Sequence, residues 1–220
     1  MRHRKVQNLD KRMEAAAGWL VEDPARLRGS WREYFAQITG SAPAERLYME
    51  LGCGKGKFIN ARAQADPDAC FIGIEGLDAV LIRGLESACA ANAANLRFVM
   101  TYVADIREYF ADGELDGIYL NFSDPWPKPR HTKRRFTYGD TLLRYRQILK
   151  PGGFVAFKTD NEDLFAFTLD EIARLDLTIS ELSRDLHSPD CTYPAKDFTT
   201  EYEDKFSGKG KNTNYVKIVF

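Results

Sequence analysis

From residue 46 onward the chain alternates two kinds of segment. Short β-prone runs at 47–51, 71–75, 96–103, 117–122 and 153–159 are separated by helix-compatible stretches at 57–65, 78–92, 138–149 and 162–175. A strand, helix, strand rhythm at this spacing predicts an α/β fold, a mostly parallel sheet covered by helices on both faces. Residues 177–182 and 215–220 alternate apolar and polar positions and are joined by a long polar segment, which predicts an antiparallel pair at one sheet edge. Residues 1–45 follow another pattern: basic Arg2, Arg4, Lys5, Lys11 and Arg12 precede an aromatic-bearing segment from Trp19 to Phe35. We read them as an arm with one or two helices, appended to a domain spanning 46–220.

Length and composition narrow the class. A chain of 220 residues with 44% hydrophobic content fits one large domain with a substantial core. No apolar run approaches the ~20 residues that span a bilayer, and the start MRHRKVQNLDKRM has no signal-peptide apolar segment. The expectation is a cytoplasmic protein with no membrane partner. Cys53, Cys70, Cys89 and Cys191 show no C-x-x-C or Cys/His ligand spacing, so structural zinc and a disulfide framework are not expected, and no metal site is assigned. The three histidines are far apart in sequence and no serine or cysteine stands in a nucleophile motif, which leaves hydrolase chemistry without support.

The loop after the first predicted strand reads Glu50-Leu51-Gly52-Cys53-Gly54-Lys55-Gly56-Lys57. Strand, glycine loop, helix is where open α/β sheets bind ligands, and glycines let backbone approach them closely. The spacing G-x-G-x-G puts Lys57 where a dinucleotide fingerprint has its third glycine, and no Gly-Lys-Ser/Thr closes a phosphate loop. The ligand implied has no pyrophosphate. Acids recur at the successive strand ends: Glu50, Glu75, Asp105 and Asp124. Glu75, 19 residues after Gly56, suits two ribose hydroxyls. Asp105 suits an adenine amine and Glu50 an ammonium. A phosphate-free ligand joining adenine, ribose and an amino-acid tail is S-adenosylmethionine.

The most informative stretch is Asn121-Phe122-Ser123-Asp124-Pro125-Trp126-Pro127-Lys128-Pro129-Arg130-His131-Thr132-Lys133-Arg134-Arg135. The formal charge of the whole chain is −1, yet residues 125–135 hold five Lys/Arg and no acid. An anion-binding surface must therefore be local. An acid suited to reading a base, aromatic faces at Phe122 and Trp126 suited to stacking one, and cations suited to phosphates point together to an enzyme acting on nucleic acid. Neutralising five phosphates would give a salt slope of about −3.5 to −4.5. Lys205, Lys209 and Lys211, near Gly208 and Gly210, are read either as a second RNA contact or as a plain exposed loop.

These residues resemble a known family. MELGCGKGKF, FIGIE, NFSDPWPKPRHTKRR, KPGGFVAFKTDN and TTEYE are similar to motifs of the bacterial tRNA (guanine-N7)-methyltransferases, over most of the chain from about Arg46. The resemblance implies a seven-stranded Rossmann-like methyltransferase fold, S-adenosylmethionine as methyl donor and, as acceptor, guanine 46 in the variable loop of tRNA. Carried over by motif, Glu50, Glu75 and Asp105, with the loop glycines Gly52, Gly54 and Gly56, are cofactor-binding. Asp124 is the catalytic acid, bordering guanine, cofactor or both. Lys128, Asp160, Thr200, Glu201, Tyr202 and Glu203 are substrate-binding. Arg130, His131, Thr132, Lys133, Arg134 and Arg135 contact RNA. The partner implied is tRNA, the assembly a monomer or homodimer.

Two rival readings stand beside this one. Ser123-Asp124-Pro125-Trp126 loosely matches the (Asp/Asn/Ser)-Pro-Pro-aromatic loop of enzymes that methylate adenine or cytosine amines, although Trp126 replaces the second proline. The other is a non-catalytic RNA-binding module that has kept the fold; the glycine loop and all four strand-end acids argue against it.

Overall fold

The computed structural model describes residues 6–207 and 211–220. Arg2, Arg4 and Lys5 of the basic arm, and Gly208, Lys209 and Gly210 of the late polar segment, lie outside the described residues. Among the described residues eight strands form a mostly parallel sheet flanked by helices. The chain divides into two compact units, Met1–Phe110 and Ala111–Phe220.

In the first unit, strands β1 (Leu20–Val21), β2 (Arg46–Leu51), β3 (Ala69–Glu75) and β4 (Leu96–Met100) run parallel in the order β1-β4-β3-β2. The sequences RLYMEL and ACFIGIE are nearly all buried, as strands covered on both faces must be. Gly73 pairs with Phe98 across β3 and β4. A Cβ at Gly73 would lie 2.7 Å from the Phe98 ring, so the missing side chain is the space that the ring fills.

Helices α1 (Leu9–Ala15), α2 (Trp31–Thr39), α3 (Lys57–Ala65) and α4 (Asp78–Ala90) complete this unit. The N-terminal segment is bound into it. Arg12 on α1 makes a forked ion pair with Glu86 on α4, at 2.5 and 2.6 Å, and the indole of Trp19 donates to the Ala93 carbonyl at 2.9 Å. On α2, Trp31 and Phe35 stand four residues apart on one face and are both fully buried. Trp31 stacks on Phe110 with ring centroids 5.6 Å apart and donates its N–H to the Tyr109 carbonyl at 2.9 Å.

The second unit holds β5 (Leu115–Asn121), β6 (Leu149–Thr159), β7 (Thr178–Ser183) and β8 (Asn214–Val219), in the order β5-β6-β8-β7. β5 and β6 are parallel, while β8 runs antiparallel to both β6 and β7, the edge pair expected from alternation. Helices α5 (Gly139–Ile148), α6 (Glu162–Arg174) and α7 (Glu201–Ser207) belong here. The Asn161 side chain caps α6 by accepting from the Leu164 N–H at 2.8 Å. Glu171 on α6 accepts from the first N–H of α5, at Gly139, at 2.5 Å. Hydrogen bonding to Arg174 holds the Glu171 carboxyl below its ordinary pKa.

The eighth strand exceeds the seven expected. It is β1, a two-residue pairing of Leu20 and Val21 with Phe98 and Val99, too short to carry any periodicity. Trp31→Ala removes the largest fully buried side chain of the molecule, and we expect it to cost ~3–5 kcal/mol, measured by denaturant unfolding.

Candidate functional site

The first unit supplies a backbone cradle edged by carboxylates. Gly52, Gly54 and Gly56 all adopt left-handed backbone, with φ of 75°, 57° and 75°. That conformation turns the chain from β2 into α3 within a few residues. A Cβ on Gly56 would come 2.8 Å from the Cα of Gly84 on α4, so only glycine allows this approach. At Gly54 the same position is open, with nothing within 4 Å, leaving its backbone accessible to a ligand.

Glu75 ends β3 and gathers the loop. Its carboxylate accepts from the N–H groups of Gly54 at 3.1 Å, Gly76 at 2.8 Å and Leu77 at 3.1 Å. Glu50, in β2, is 1% exposed. Asp105 begins the 3-10 turn Ile106–Glu108, accepting from the Arg107 N–H at 3.1 Å and from its guanidinium at 2.6–3.2 Å. Tyr102, 73% exposed, lies against Gly76, where a Cβ would meet its ring at 2.5 Å. An open glycine backbone bordered by three acids and an exposed aromatic face fits a nucleoside with a cationic tail. It does not fit a polyphosphate, which three carboxylates would repel.

The second unit supplies a polar loop after β5. Its first residue, Phe122, has a φ of 51°, and its N–H donates to the Lys158 carbonyl of β6 at 2.9 Å. Asp124 follows, exposed, and its side chain accepts no hydrogen bond from any described residue. Trp126, with a φ of 43°, is half-buried between Pro125 and Pro127. The Arg134 guanidinium lies 4.9 Å from its ring centre, and His131 meets it edge-on at 5.5 Å. A 3-10 turn over Pro129–Arg134 carries the cations, with Thr132 Oγ1 donating to the Pro129 carbonyl at 2.8 Å. Lys128, Arg130 and Lys133 are exposed.

A third group comes from α7 and the end of β6. Thr200 Oγ1 accepts from the Glu203 N–H at 3.0 Å, and Glu203 Oε2 accepts from the Thr200 N–H at 3.2 Å, a reciprocal capping box. The Glu203 carboxylate, 1% exposed, also meets Lys158 Nζ at 3.3 Å and His187 Nε2 at 2.7 Å. Lys158, 2% exposed, donates further to the Phe198 carbonyl at 2.7 Å. This buried set anchors the start of α7 to the sheet. Glu201 is half-buried on the same helix. Tyr202 leaves its face exposed, 5.0 Å from the Phe122 ring, and its hydroxyl donates to Asp160 at 3.0 Å. Burial first, then the Asp160 hydrogen bond, raises the Tyr202 pKa, so the hydroxyl keeps its proton. Lys211 also reaches Asp160, at 3.1 Å.

The structure thus brings Glu75 to Gly54, Asp160 to Tyr202, Thr200 to Glu203, and His131 and Arg134 to Trp126. Lys158, His187, Tyr102 and Phe206, which stacks on Tyr202 at 4.3 Å, were not singled out from sequence. One signal was present: Thr200-x-x-Glu203 has the capping-box spacing, which predicts the N-terminus of α7. Nothing local marks Lys158 as Glu203's partner, 45 positions away. Among the described residues no group of three or more His, Cys, Asp or Glu is placed to hold a metal ion. No helix among them is long and apolar enough to cross a membrane. Cys53 and Cys70 are buried thiols in no disulfide, and burial pushes the Cys70 thiol up to about 11, which leaves it unreactive.

Comparison with known proteins adds to this geometry. A family model described as a putative methyltransferase matches residues 44–216. The chain is 41% identical over 191 residues, 87% of its length and 83% of the relative's, to a tRNA (guanine-N(7)-)-methyltransferase of Halalkalibacterium halodurans. It is 38% identical over 220 residues, the full length of both, to the protein of that name in Streptococcus gordonii. Among solved structures it resembles a SAM-dependent methyltransferase from Aquifex aeolicus, with a TM-score of 0.54 at 12% identity over 97% of this chain and 99% of that one. At that identity the likeness concerns the fold.

Lys158→Met would take from the buried Glu203 carboxylate its lysine counter-charge, leaving it only His187 and the Thr200 N–H. We expect a loss of ~3–5 kcal/mol in denaturant unfolding, far above the ~0–1 kcal/mol of an exposed pair such as Arg184–Glu162.

Proposed function

Because the chain belongs to the tRNA (guanine-N(7)-)-methyltransferase family, we propose that it methylates N7 of a guanine in the variable loop of tRNA, position 46, in the cytoplasm. S-adenosylmethionine supplies an electrophilic methyl group on a sulfonium centre. Glu50, Gly52, Gly54, Gly56, Glu75 and Asp105 hold it, the loop glycines through backbone and the acids through its ammonium, ribose and adenine donors. Arg107 already gives Asp105 four hydrogen bonds, about the capacity of a carboxylate, so an adenine amine would displace or share one of them.

Guanine N7 presents an in-plane lone pair and no proton, so no general base is required there. The protein's task is placement, which supplies ~7–11 kcal/mol in favourable cases. Asp124 accepts from guanine N1–H and the N2 amine, an edge that adenine cannot match, and leaves N7 on the opposite edge free to react. The same charge stabilises the purine as it becomes cationic. Phe122, Trp126 and Tyr202 offer faces for an extruded base, at ~1–3 kcal/mol for each stacking contact. Lys128, Asp160, Thr200, Glu201 and Glu203 border the acceptor or fix the segment that does. The cations Arg130, Lys133 and Arg134, with His131 and Thr132, position the RNA backbone.

The single observation that carries the acceptor reading is Asp124: an exposed carboxylate, free of described partners, on a stiff proline loop beside aromatic faces and cations. Incubation with labelled donor and tRNAs that have or lack a guanine at the variable-loop position tests it. Label only in the guanine-bearing tRNA, recovered as N7-methylguanosine by nucleoside mass spectrometry, is the expected result. Asp124→Asn should lower turnover ~100-fold or more while donor affinity by calorimetry is retained; near-normal turnover contradicts the role given to Asp124.

A further inference from the structure

The cationic run after Asp124 is not uniform. Lys128, Arg130 and Lys133 are exposed, whereas Arg135 is half-buried and its guanidinium is turned back onto the loop that precedes it. Nε donates to the Pro125 carbonyl at 3.0 Å and Nη2 to the Trp126 carbonyl at 3.3 Å. The guanidinium carbon Cζ lies over the Phe167 ring on α6, 4.3 Å from its centre. A planar fork stacked on an aromatic ring while bridging two carbonyls is a geometry that lysine cannot reproduce.

The loop requires such a brace. Phe122 and Trp126, at φ of 51° and 43°, are bulky residues in left-handed backbone, on either side of Asp124. Backbone of this kind costs on the order of 1–3 kcal/mol per residue and persists only where its surroundings over-determine it. At Phe122 the hydrogen bond to the Lys158 carbonyl fixes the peptide. At Trp126 the fixing contacts are those of Arg135 to the carbonyls on either side of the Trp126 amide, together with Arg134 over the indole.

Resting on the function proposed above, we infer that Arg135 is a positioning residue that sets the course of the Asp124–Trp126 loop, and is not one of the phosphate contacts. The cationic run divides accordingly: Lys128, Arg130 and Lys133 grip the RNA, and Arg135, seated on Phe167, holds the acid where guanine is read.

The experiment measures steady-state methylation, tRNA affinity from 50 to 200 mM salt and donor affinity for the wild type and for Arg135→Lys, Arg135→Met, Phe167→Leu and Lys133→Met. Arg135→Lys keeps the charge and loses the fork. We expect kcat to fall ~10- to 100-fold with tRNA affinity within about twofold, the salt slope unchanged and donor binding intact. Phe167→Leu, which lacks any charge to lose, should move kcat in the same direction. Lys133→Met should instead weaken tRNA binding and lower the salt slope by ~0.7–0.9. Wild-type kcat in Arg135→Lys overturns the inference, as does a salt slope reduced by about one in Arg135→Met with kcat preserved. A wild-type protein that methylates no tRNA defeats the functional reading itself, an outcome separate from either.

Discussion

Parallel strands buried on both faces leave polar chemistry only one natural place, the loops at their carboxyl ends. β2, β3, β5 and the second half of β6 are built almost entirely of buried residues, so neither face of these strands is available for a charged ligand. Each parallel strand from β2 to β6 then ends in or just before an acid: Glu50, Glu75, Asp105, Asp124 and Asp160. What distinguishes these acids is how each is held. Glu75 is held by backbone amides, Asp105 by an arginine two residues on, and Asp160 by a tyrosine and a lysine. Asp124 alone among the five is exposed.

Freedom at Asp124 is possible because the backbone around it is constrained. Left-handed residues flank it, prolines stiffen it, and the contacts of Arg135 and Arg134 fall on the same few atoms. A buried ion pair does the equivalent work for α7, where Lys158 and Glu203 hold the helix start and leave Tyr202 facing outward. In both places charge is spent on fixing backbone, which lets an adjacent side chain be polar, exposed and well oriented. Both arrangements lie within the second unit, whereas the glycine cradle belongs wholly to the first.

The legibility of the sequence followed the range of the interaction. The strands from residue 46 onward and the helices α3 to α6 were readable to within a few residues, because burial writes itself as apolar runs, whereas α7 fell inside what read as a polar connecting segment. The glycine loop was readable too, since left-handed backbone demands glycine. β1 was not, because two residues have no period, and the docking of α1 through Arg12 and Glu86 joins positions 74 apart. The same limit applied to the site. Asp124 and Glu75 announced themselves by position, but the cations from Lys128 to Arg135 looked alike in sequence, and only geometry separates Arg135, bound to its own loop, from Lys133 in solvent.

The central claim is that one carboxylate reads the Watson-Crick edge of guanine while N7, on the opposite edge, reacts unaided. Replacing the variable-loop guanine with 7-deazaguanine tests it most directly, since this base keeps the N1–H and N2 donors and has carbon in place of N7. The account predicts a tRNA that binds as tightly as the natural one, within about twofold, and accepts no methyl group. Methylation of that tRNA at the natural rate would contradict it, and so would a marked loss of binding.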